Sequence, residues 1–239
     1  MTDRAHLEPH LDALAGVSVV CVGDAMIDRF VYGEVERVSP EAPIPVLRIE
    51  REAAMPGGAA NVVRNLAGLG AHSHFVSVVG DDGAGRELQG LLEDIPGVSS
   101  HLERAPGRRT TIKTRYIAGG QQLIRADYEN DQAISDAIAE ALIKAASAQI
   151  PEAAAIVLSD YAKGTLSPIV IQRLISSARE NGKPVLVDPK GGDYERYRGA
   201  TLITPNQREL AAVTGLPTTT DDEVIEAANR LIPDRKSVV

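Results

Sequence analysis

The sequence has little of what several classes of protein depend on. It contains no tryptophan, 3% aromatic residues and a single cysteine, Cys21. Proteins that bind single-stranded nucleic acid stack its bases on aromatic side chains, so the scarcity of aromatics argues against that function. One cysteine cannot form a disulfide within the chain, and its position in an apolar run predicts a buried thiol.

The sequence also lacks a surplus of positive charge and a long apolar run. Its net charge of −8 argues against a general binder of nucleic acid or of membrane surfaces. No apolar run reaches the length of a membrane span, and residues 1–10 are polar, without the core of a signal peptide. We therefore expect no nucleic-acid or membrane partner and a reducing, cytoplasmic location.

What is present is a regular alternation of predicted strands and helices, in which each strand ends in a polar loop. This order predicts an α/β fold with a mostly parallel sheet, helices on both faces and a ligand site at the carboxyl ends of the strands. The last helix is expected to be capped by Asp221 or Asp222. The predicted strands are 17–23, 75–80, 154–158, 184–187 and 200–203, and the predicted helices include 85–95, 131–150, 168–181 and 221–232.

A further helix opens with the run Gly57-Gly58-Ala59-Ala60-Asn61. Val62, Leu66 and Leu69 recur at helical spacing, and Gly70 marks the end. Glycines without a Cβ let a ligand approach the backbone, the first turn of the helix presents free N–H groups, and Asn61 adds a donor and an acceptor. On these residues alone, the favoured alternative is a glycine turn before an ordinary core helix.

Two carboxylates, Asp24 and Asp28, follow the first predicted strand. Side chains at this place lie where α/β sheets bind ligands, and both carboxylates are candidates for holding sugar hydroxyls. The alternative, about equally supported by these residues, is that Asp24 caps a turn and Asp28 is solvated.

Two segments are predicted to leave the main sheet as a small β lid, at about residues 29–50 and 107–126. In the first, three prolines between Ser39 and Pro45 exclude a helix and indicate a hairpin. In the second, two strand-like runs flank Gly119-Gly120, and residues 104–125 contain six basic residues and no acidic one. The favoured interpretation is a lid that attracts an anionic substrate, and the alternative is a sheet edge protected by charge.

Taken together, these loops resemble the PfkB, or ribokinase-like, family of sugar kinases. The run 57–61, then Gly70 and Gly80, has the spacing of that family's N-terminal signature, although Val63 stands where a small residue is usual. The resemblance covers about residues 16–232. It implies a ribokinase-like three-layer α/β/α fold, ATP and Mg²⁺ as cofactors, and a homodimer formed through the lid.

Within the family, several runs are similar to kinases that act on D-glycero-β-D-manno-heptose 7-phosphate. Such enzymes phosphorylate the anomeric hydroxyl of the heptose, in the synthesis of ADP-heptose for the lipopolysaccharide core. The alternatives are a kinase for another sugar and a non-catalytic fragment that binds sugar phosphates. The runs that carry the similarity are 23–29, 39–43, 121–125, 158–164, 188–191 and 195–201.

The resemblance also implies roles for individual residues. Asp24, Gly57, Gly58 and Asn61 correspond to groups that hold sugar hydroxyls. Asn206 and Glu209 match the family's Asn-x-x-Glu motif, which organises Mg²⁺ and the phosphates of ATP, with Glu209 at the metal. From charge alone, the candidates for meeting the substrate's own phosphate are Arg109, Lys113, Arg125 and Lys190.

Two phosphate-binding devices are absent from the sequence. It contains no Gly-x-x-x-x-Gly-Lys-Ser/Thr run, so a P-loop does not bind the phosphates. It also contains no Gly-Ala-Gly-Asp run, whose glycines form an anion hole in the family and whose aspartate is the catalytic base. We therefore expect residues 1–239 to be an incomplete kinase domain, with the base beyond Val239 and with negligible activity on its own.

Overall fold

The computed structural model describes residues 4–231, and these form ten strands and seven α-helices. Strands and helices alternate over most of the chain, as the apolar pattern predicts. The strands are β1 Ser18–Gly23, β2 Ala25–Val38, β3 Pro45–Gly58, β4 His72–Gly80, β5 Val98–Ala105, β6 Thr111–Ala118, β7 Gln121–Tyr128, β8 Ala155–Ser159, β9 Val185–Asp188 and β10 Leu202–Ile203. The α-helices are α1 Arg4–Asp12, α2 Ala59–Gly68, α3 Gly83–Glu93, α4 Asp136–Ser147, α5 Pro168–Glu180, α6 Gln207–Thr214 and α7 Asp221–Leu231.

The main sheet has six parallel strands in the order β10-β9-β8-β1-β4-β5. β1 lies inside the sheet, where Cys21 pairs with Phe75 on one side and Val157 on the other. All five predicted strands belong to this sheet, so the predicted parallel α/β fold is confirmed. The sixth, β5, was not predicted, because polar residues such as His101 and Glu103 interrupt its apolar pattern at the sheet edge.

The other four strands form a second sheet in the order β3-β2-β6-β7, which we call the lid sheet. β2 and β3 form an antiparallel hairpin around residues 39–44, and β6 and β7 form another around Gly119-Gly120. The two hairpins join through parallel pairing of β2 with β6. The predicted lid segments therefore lie in one sheet, although its strands are longer than predicted: β2 begins at Ala25 and β3 runs to Gly58.

Helices cover both faces of the main sheet. On one face, α4 and α5 pack over β1, β8 and β9 in a core centred on Ile156 and Leu158. On the other face, α2 and α3 pack over β1 and β4, with Phe75 and Val63 fully buried. Val63, the departure from the family signature, is thus a core residue. Among residues 4–231, no helix combines the length and the apolarity that crossing a bilayer requires.

The starts of α3 and α4 and the cap of α7 differ from the prediction. Helix α3 begins at Gly83 rather than at residue 85. Helix α4 begins at Asp136 rather than at 131, because the Ser135 hydroxyl accepts a hydrogen bond from the Ile138 amide and caps it there. Helix α7 begins at Asp221, but the hydroxyl of Thr220 accepts from the Glu223 amide, so neither predicted aspartate is the cap. The predicted end of this helix at residue 232 lies outside the described residues.

Candidate active site

A cleft of about 450 Å³ lies between the lid sheet and the carboxyl ends of β1 and β8. It brings together six of the residues predicted from the sequence. A larger cleft of about 550 Å³, between β4, β5 and α4, contains none of them. We call the first the sugar cleft. Its lining residues are Met26, Asp28, Gly58, Asn61, Lys113, Arg115, Arg125, Glu129, Tyr161, Lys163 and Lys190.

The paired glycines end β3 and place the start of α2 against the cleft. Gly58 has a φ of 58°, in the left-handed region, and a Cβ there would lie 2.5 Å from the carbonyl oxygen of Asp24. A Cβ on Gly57 would clash with the carboxylate of Asp28. Gly57 does not line the cleft itself, but it leaves the space in which Asp28 lies. Asn61 lines the cleft from the first turn of α2.

Asp28 lies on β2 and faces the cleft. Its Oδ1 accepts a hydrogen bond of 2.5 Å from the Arg115 guanidinium, and both side chains are about one fifth exposed. The same guanidinium lies 5.1 Å from the centre of the Phe30 ring. Asp28 is thus reachable by a ligand and held at one oxygen.

Asp24 has a different role from the one predicted. Its side chain is 1% exposed, and Oδ2 accepts hydrogen bonds from the amides of Tyr161 (2.8 Å) and Lys163 (3.0 Å). Oδ1 accepts from the amide of Thr165 at 3.0 Å. With its acceptors directed at the backbone, Asp24 holds a loop and does not line the sugar cleft. The prediction that it holds sugar hydroxyls is corrected accordingly.

The loop that Asp24 holds, residues 160–165, follows β8 and has a tightly constrained backbone. Ala162 has a φ of 55°, unusual for a residue with a Cβ, and Gly164 has a φ of 92°. The guanidinium of Arg108 donates to the carbonyl oxygens of Lys163 and of Gln132, the latter at 2.9 Å. Asp24 thus binds the N–H groups of the loop, and Arg108 binds a carbonyl group from the other side.

The loop carries Tyr161 and Lys163 into the cleft, and both were missed as site residues in the sequence. The signal was present, because the run 158–164 follows a buried strand at the edge where α/β sheets bind ligands. The left-handed backbone at Ala162 decides which residues of this run reach the cleft, and a sequence pattern does not reveal that conformation.

The basic residues of β6 and β7 are paired with carboxylates, contrary to the one-signed stretch expected from residues 104–125. Lys113 Nζ lies 3.3 Å from Asp127 and 2.7 Å from Glu129, while Arg125 contacts Asp127 at 2.9 Å. The two carboxylates lie just beyond the stretch in which acidic residues are absent. The excess of positive charge is therefore largely neutralised within the lid sheet and within the segment that connects β7 to α4.

Arg109 lies elsewhere. It is not among the residues that line the sugar cleft, and its guanidinium lies 5.2 Å from the centre of the Tyr128 ring. Of the four basic residues predicted to meet a phosphate, the structure brings Lys113, Arg125 and Lys190 to the cleft.

A second cleft of about 230 Å³ adjoins the first. Tyr161 and Lys190 line both clefts. Here the predicted Asn-x-x-Glu motif forms a capping box at the start of α6: Asn206 Oδ1 accepts from the Glu209 amide at 3.0 Å, and Glu209 Oε2 accepts from the Asn206 amide at 3.1 Å. The residues that line it are Asp160, Tyr161, Asp188, Pro189, Lys190, Thr204, Asn206 and Glu209.

Charges in this second cleft are coupled. Glu209 Oε1 lies 2.8 Å from Lys190 Nζ, and this hydrogen bond raises the pKa of the Lys190 ammonium. Burial raises the pKa of Asp188, and the nearby charge of Glu209 raises it further. Burial, the largest single effect, opposes ionisation of Glu209 too, but contact with Lys190 and the hydrogen bond from the Asn206 amide together outweigh it and lower the pKa of that carboxyl. The ammonium of Lys190 therefore stays charged beside the first turn of α6.

These donors fit a hydrated Mg²⁺ held mainly by phosphates. Among residues 4–231, no three histidine, cysteine or carboxylate side chains converge on one point in a way that would hold a metal. Mg²⁺ commonly keeps several waters and binds one or two carboxylates together with substrate phosphates. Glu209 and Asp188 are carboxylates that line this cleft together with Lys190, so they are the groups that could hold such an ion through its waters.

Comparison with known proteins agrees with this architecture. The profile of the pfkB family carbohydrate kinases matches residues 17–239. Proteins named bifunctional protein HldE are similar to the chain: that of Paramagnetospirillum magneticum is 52% identical over 232 residues, covering 97% of this chain and 48% of its own length. That of Rhodospirillum rubrum is 53% identical over 220 residues, covering 92% and 44%. The chain spans about half the length of these relatives.

Solved structures show the same fold at low sequence identity. The tetrameric inhibited form of phosphofructokinase-2 from Escherichia coli superposes with a TM-score of 0.70 at 23% identity, over 93% of this chain and 71% of that one. A possible 1-phosphofructokinase from Thermotoga maritima gives a TM-score of 0.74 at 19% identity, over 91% and 69%. The fold is therefore ribokinase-like, and with the family profile matching residues 17–239, the chain belongs to the pfkB family of carbohydrate kinases.

Proposed function

We propose that the chain is the sugar-binding part of a kinase that transfers the γ-phosphoryl group of ATP to the anomeric hydroxyl of D-glycero-β-D-manno-heptose 7-phosphate. The observation that carries the proposal is the pair of adjoining clefts that share Tyr161 and Lys190. One cleft offers groups for hydroxyls and for an anion, and the other offers a lysine and carboxylates at a helix start. Such a pair suits transfer of a phosphoryl group between two ligands.

On the sugar side, Asp28 and Asn61 are the proposed partners of the heptose hydroxyls. Asp28 is held by Arg115 at one oxygen, so its second oxygen is oriented for a ligand. The glycine backbone at Gly57 and Gly58 allows the sugar ring to lie close to the start of α2. The cationic side chains Lys113, Arg125 and Lys163 line the same cleft and are the proposed partners of the 7-phosphate.

On the nucleotide side, Lys190 is proposed to contact the phosphates of ATP, because it lies at the boundary of the two clefts. Glu209 orients this lysine through their 2.8 Å contact. Glu209 and Asp188 are the proposed partners of Mg²⁺ through its waters. When bound, the ion would neutralise charge that develops on the transferred group. Asn206 fixes the start of α6 and thereby the position of Glu209.

The general base is proposed to come from a Gly-Ala-Gly-Asp segment of the kind the family resemblance implies. No such run occurs in residues 1–239. The resemblance implies that this segment supplies an anion hole as well as the base. Because electrostatic stabilisation accounts for much of phosphoryl-transfer catalysis, residues 1–239 alone are expected to bind the sugar phosphate and to transfer phosphate at a negligible rate.

We also propose that the lid sheet pairs two copies of the chain into a homodimer. Its strands expose several large apolar side chains, among them Val38 (64%), Ile49 (53%) and Ile124 (60%). Contiguous apolar patches mark contacts with other molecules, and we propose that these side chains contribute to such a contact. Light scattering is expected to give twice the mass of the chain, and a monomer with a folded lid would contradict the proposal. A reducing cytoplasm is the proposed compartment.

The test of the function is an ADP-release assay with Mg-ATP and a panel of acceptors. The panel contains the heptose 7-phosphate, fructose 6-phosphate, ribose and fructose. Residues 1–239 are compared with the same chain extended through a Gly-Ala-Gly-Asp segment. The extended chain is expected to turn over the heptose phosphate and to discriminate against the neutral sugars. Preference for another acceptor would refute the substrate, and equal turnover by both chains would refute the proposed source of the base.

A further inference from the structure

Glu129 lies in the sugar cleft between two lysines that come from different parts of the fold. Its Oε1 accepts a hydrogen bond of 2.7 Å from Lys113 on β6, in the lid sheet. Its Oε2 accepts one of 2.8 Å from Lys163 in the loop after β8, in the main sheet. One carboxylate thus bridges two ammonium groups whose positions in the sequence are fifty residues apart.

The other cations of the cleft are paired differently. Arg115 is held by Asp28, Arg125 by Asp127, and Lys190 by Glu209 of the second cleft. Among the side chains that line the sugar cleft, Glu129 is the carboxylate that contacts two of its cations. The site therefore contains a negative group placed between two positive ones, at hydrogen-bond distance from both.

The bridge is strong enough to keep Glu129 ionised and exposed enough to be replaced. Hydrogen bonds from Lys113 and then Lys163 lower the pKa of Glu129 to about 2, so it is anionic at every physiological pH. Its side chain is 36% exposed, against 17% for Lys113 and 19% for Lys163. Ion pairs that water reaches contribute little net stability, so exchange of this partner for another anion costs little.

We propose that Lys113 and Lys163 form the phosphate subsite of the sugar cleft, and that Glu129 is an internal anion that occupies it until a substrate phosphate displaces it. A phosphate dianion offers the same pair of acceptor oxygens with more charge, and so it competes with the single carboxylate. A neutral sugar cannot make this exchange and leaves Glu129 in place. The choice of a sugar phosphate as ligand rests on the proposed function, whereas the subsite itself does not.

The proposal predicts that removal of the Glu129 charge tightens phosphate binding. In Glu129→Gln, the amide keeps the size of the side chain but no longer competes as an anion. If the exposed pairs contribute about 0.5–1.4 kcal/mol, affinity for a phosphate rises about two- to tenfold. The opposite role, in which Glu129 orders the lysines for the ligand, predicts weaker binding by this variant.

The matched control is Asp127→Asn. Asp127 also contacts Lys113, and the substitution removes the same charge two residues away, but Asp127 does not line the cleft. Its expected gain in affinity is smaller than that of Glu129→Gln, since the substitution releases Lys113 and Arg125 from one partner each but removes no anion from the cleft itself. Lys163→Gln tests the other half of the subsite and is expected to weaken phosphate binding about tenfold or more.

The experiment is calorimetric titration of the full chain and the three variants at fixed ionic strength. The probes are inorganic phosphate and the heptose 7-phosphate, and circular dichroism confirms that each variant is folded. Tighter phosphate binding by Glu129→Gln, together with weaker binding by Lys163→Gln, supports the subsite. Equal gains in Glu129→Gln and Asp127→Asn, no gain in Glu129→Gln, no loss in Lys163→Gln, or no phosphate binding by any variant would overturn it. If inorganic phosphate follows the expected pattern while the heptose phosphate binds nowhere, the proposed substrate fails and the subsite stands.

Discussion

Asp24 and Asp28 are four residues apart, and the structure predicts opposite consequences when each is changed to asparagine. Asp24→Asn should destabilise the fold, because an amide cannot accept all three backbone N–H groups that the carboxylate now accepts. Asp28→Asn should leave the fold nearly intact and weaken binding of the sugar phosphate. The pair is a matched test, since both substitutions remove one negative charge and conserve side-chain shape.

The magnitudes follow from burial. Hydrogen bonds to a charged group contribute about 1.5–3 kcal/mol each, and breaking a buried charged network costs about 3–5 kcal/mol in all. For a domain of this size that corresponds to a fall in Tm of roughly 6–20 °C for Asp24→Asn. The contact of Asp28 with Arg115 is partly exposed, so its loss costs about 0–1 kcal/mol, or roughly 4 °C at most.

Thermal and urea unfolding measured by circular dichroism give the first readout, and calorimetric titration with the heptose 7-phosphate gives the second. Hydrogen exchange at the amides of Tyr161, Lys163 and Thr165 gives a third, and it should accelerate in Asp24→Asn alone. A variant of Asp24 as stable as the unchanged chain, or a variant of Asp28 with unchanged affinity, would refute the assignment of roles.

Three further predictions concern single groups. Asn61→Ala should weaken heptose phosphate binding by roughly two- to twelvefold in calorimetry, because one or more hydrogen bonds of about 0.5–1.5 kcal/mol are lost, and unchanged affinity would contradict its proposed role. Glu209→Gln should weaken Mg-ATP binding but not heptose phosphate binding, since the amide still accepts from Asn206 yet loses the charge beside Lys190; equal effects on both ligands would count against separate clefts. The pKa of Glu129 is lowered from 4.5 to about 2, so its contribution to stability is complete above pH 4.5 and is lost as the pH falls toward 2. Urea unfolding of Glu129→Gln should accordingly be less sensitive to acid over that range than unfolding of the unchanged chain, and identical profiles would show that the ion pairs do not form.

The parts of the fold that were predictable are those set by local pattern. Continuous apolar runs such as 17–23 gave the inner strands, and the prolines and glycines marked the hairpins of the lid sheet. β5 was not predicted because an edge strand is partly exposed to solvent, and apolar and polar residues alternate irregularly along it. The start of α4 was not predicted because the helical spacing of apolar residues continues upstream of Ser135. The hydroxyl of this residue caps the helix, and its own backbone is extended.

The site was predictable in its location but not in its pairings. Both aspartates follow β1, and nothing in their spacing shows that the amides of the 160–165 loop converge on Asp24. The contact between Asp28 and Arg115 joins residues 87 positions apart. The positive charge of residues 104–125 seemed to lack acidic partners in the sequence because Asp127 and Glu129 lie just beyond the end of this stretch. Pairing of charges is a property of the folded lid sheet, so counting charges along the chain misjudged it.

The lid sheet joins the main sheet beside the residues that line the sugar cleft. β1 passes into β2 through Asp24, and β3 passes into α2 between Gly58 and Ala59, whose amide donates to the Asp24 carbonyl at 3.0 Å. The segment that follows β7 contains Glu129, which contacts Lys163 in the loop after β8 of the main sheet. A ligand in the sugar cleft would therefore lie beside the connections between the two sheets, at Gly58 and Glu129. Because the same few residues set both the position of the lid sheet and the shape of the cleft, displacement of Glu129 by a phosphate would change an ionic contact between the sheets at the moment of binding.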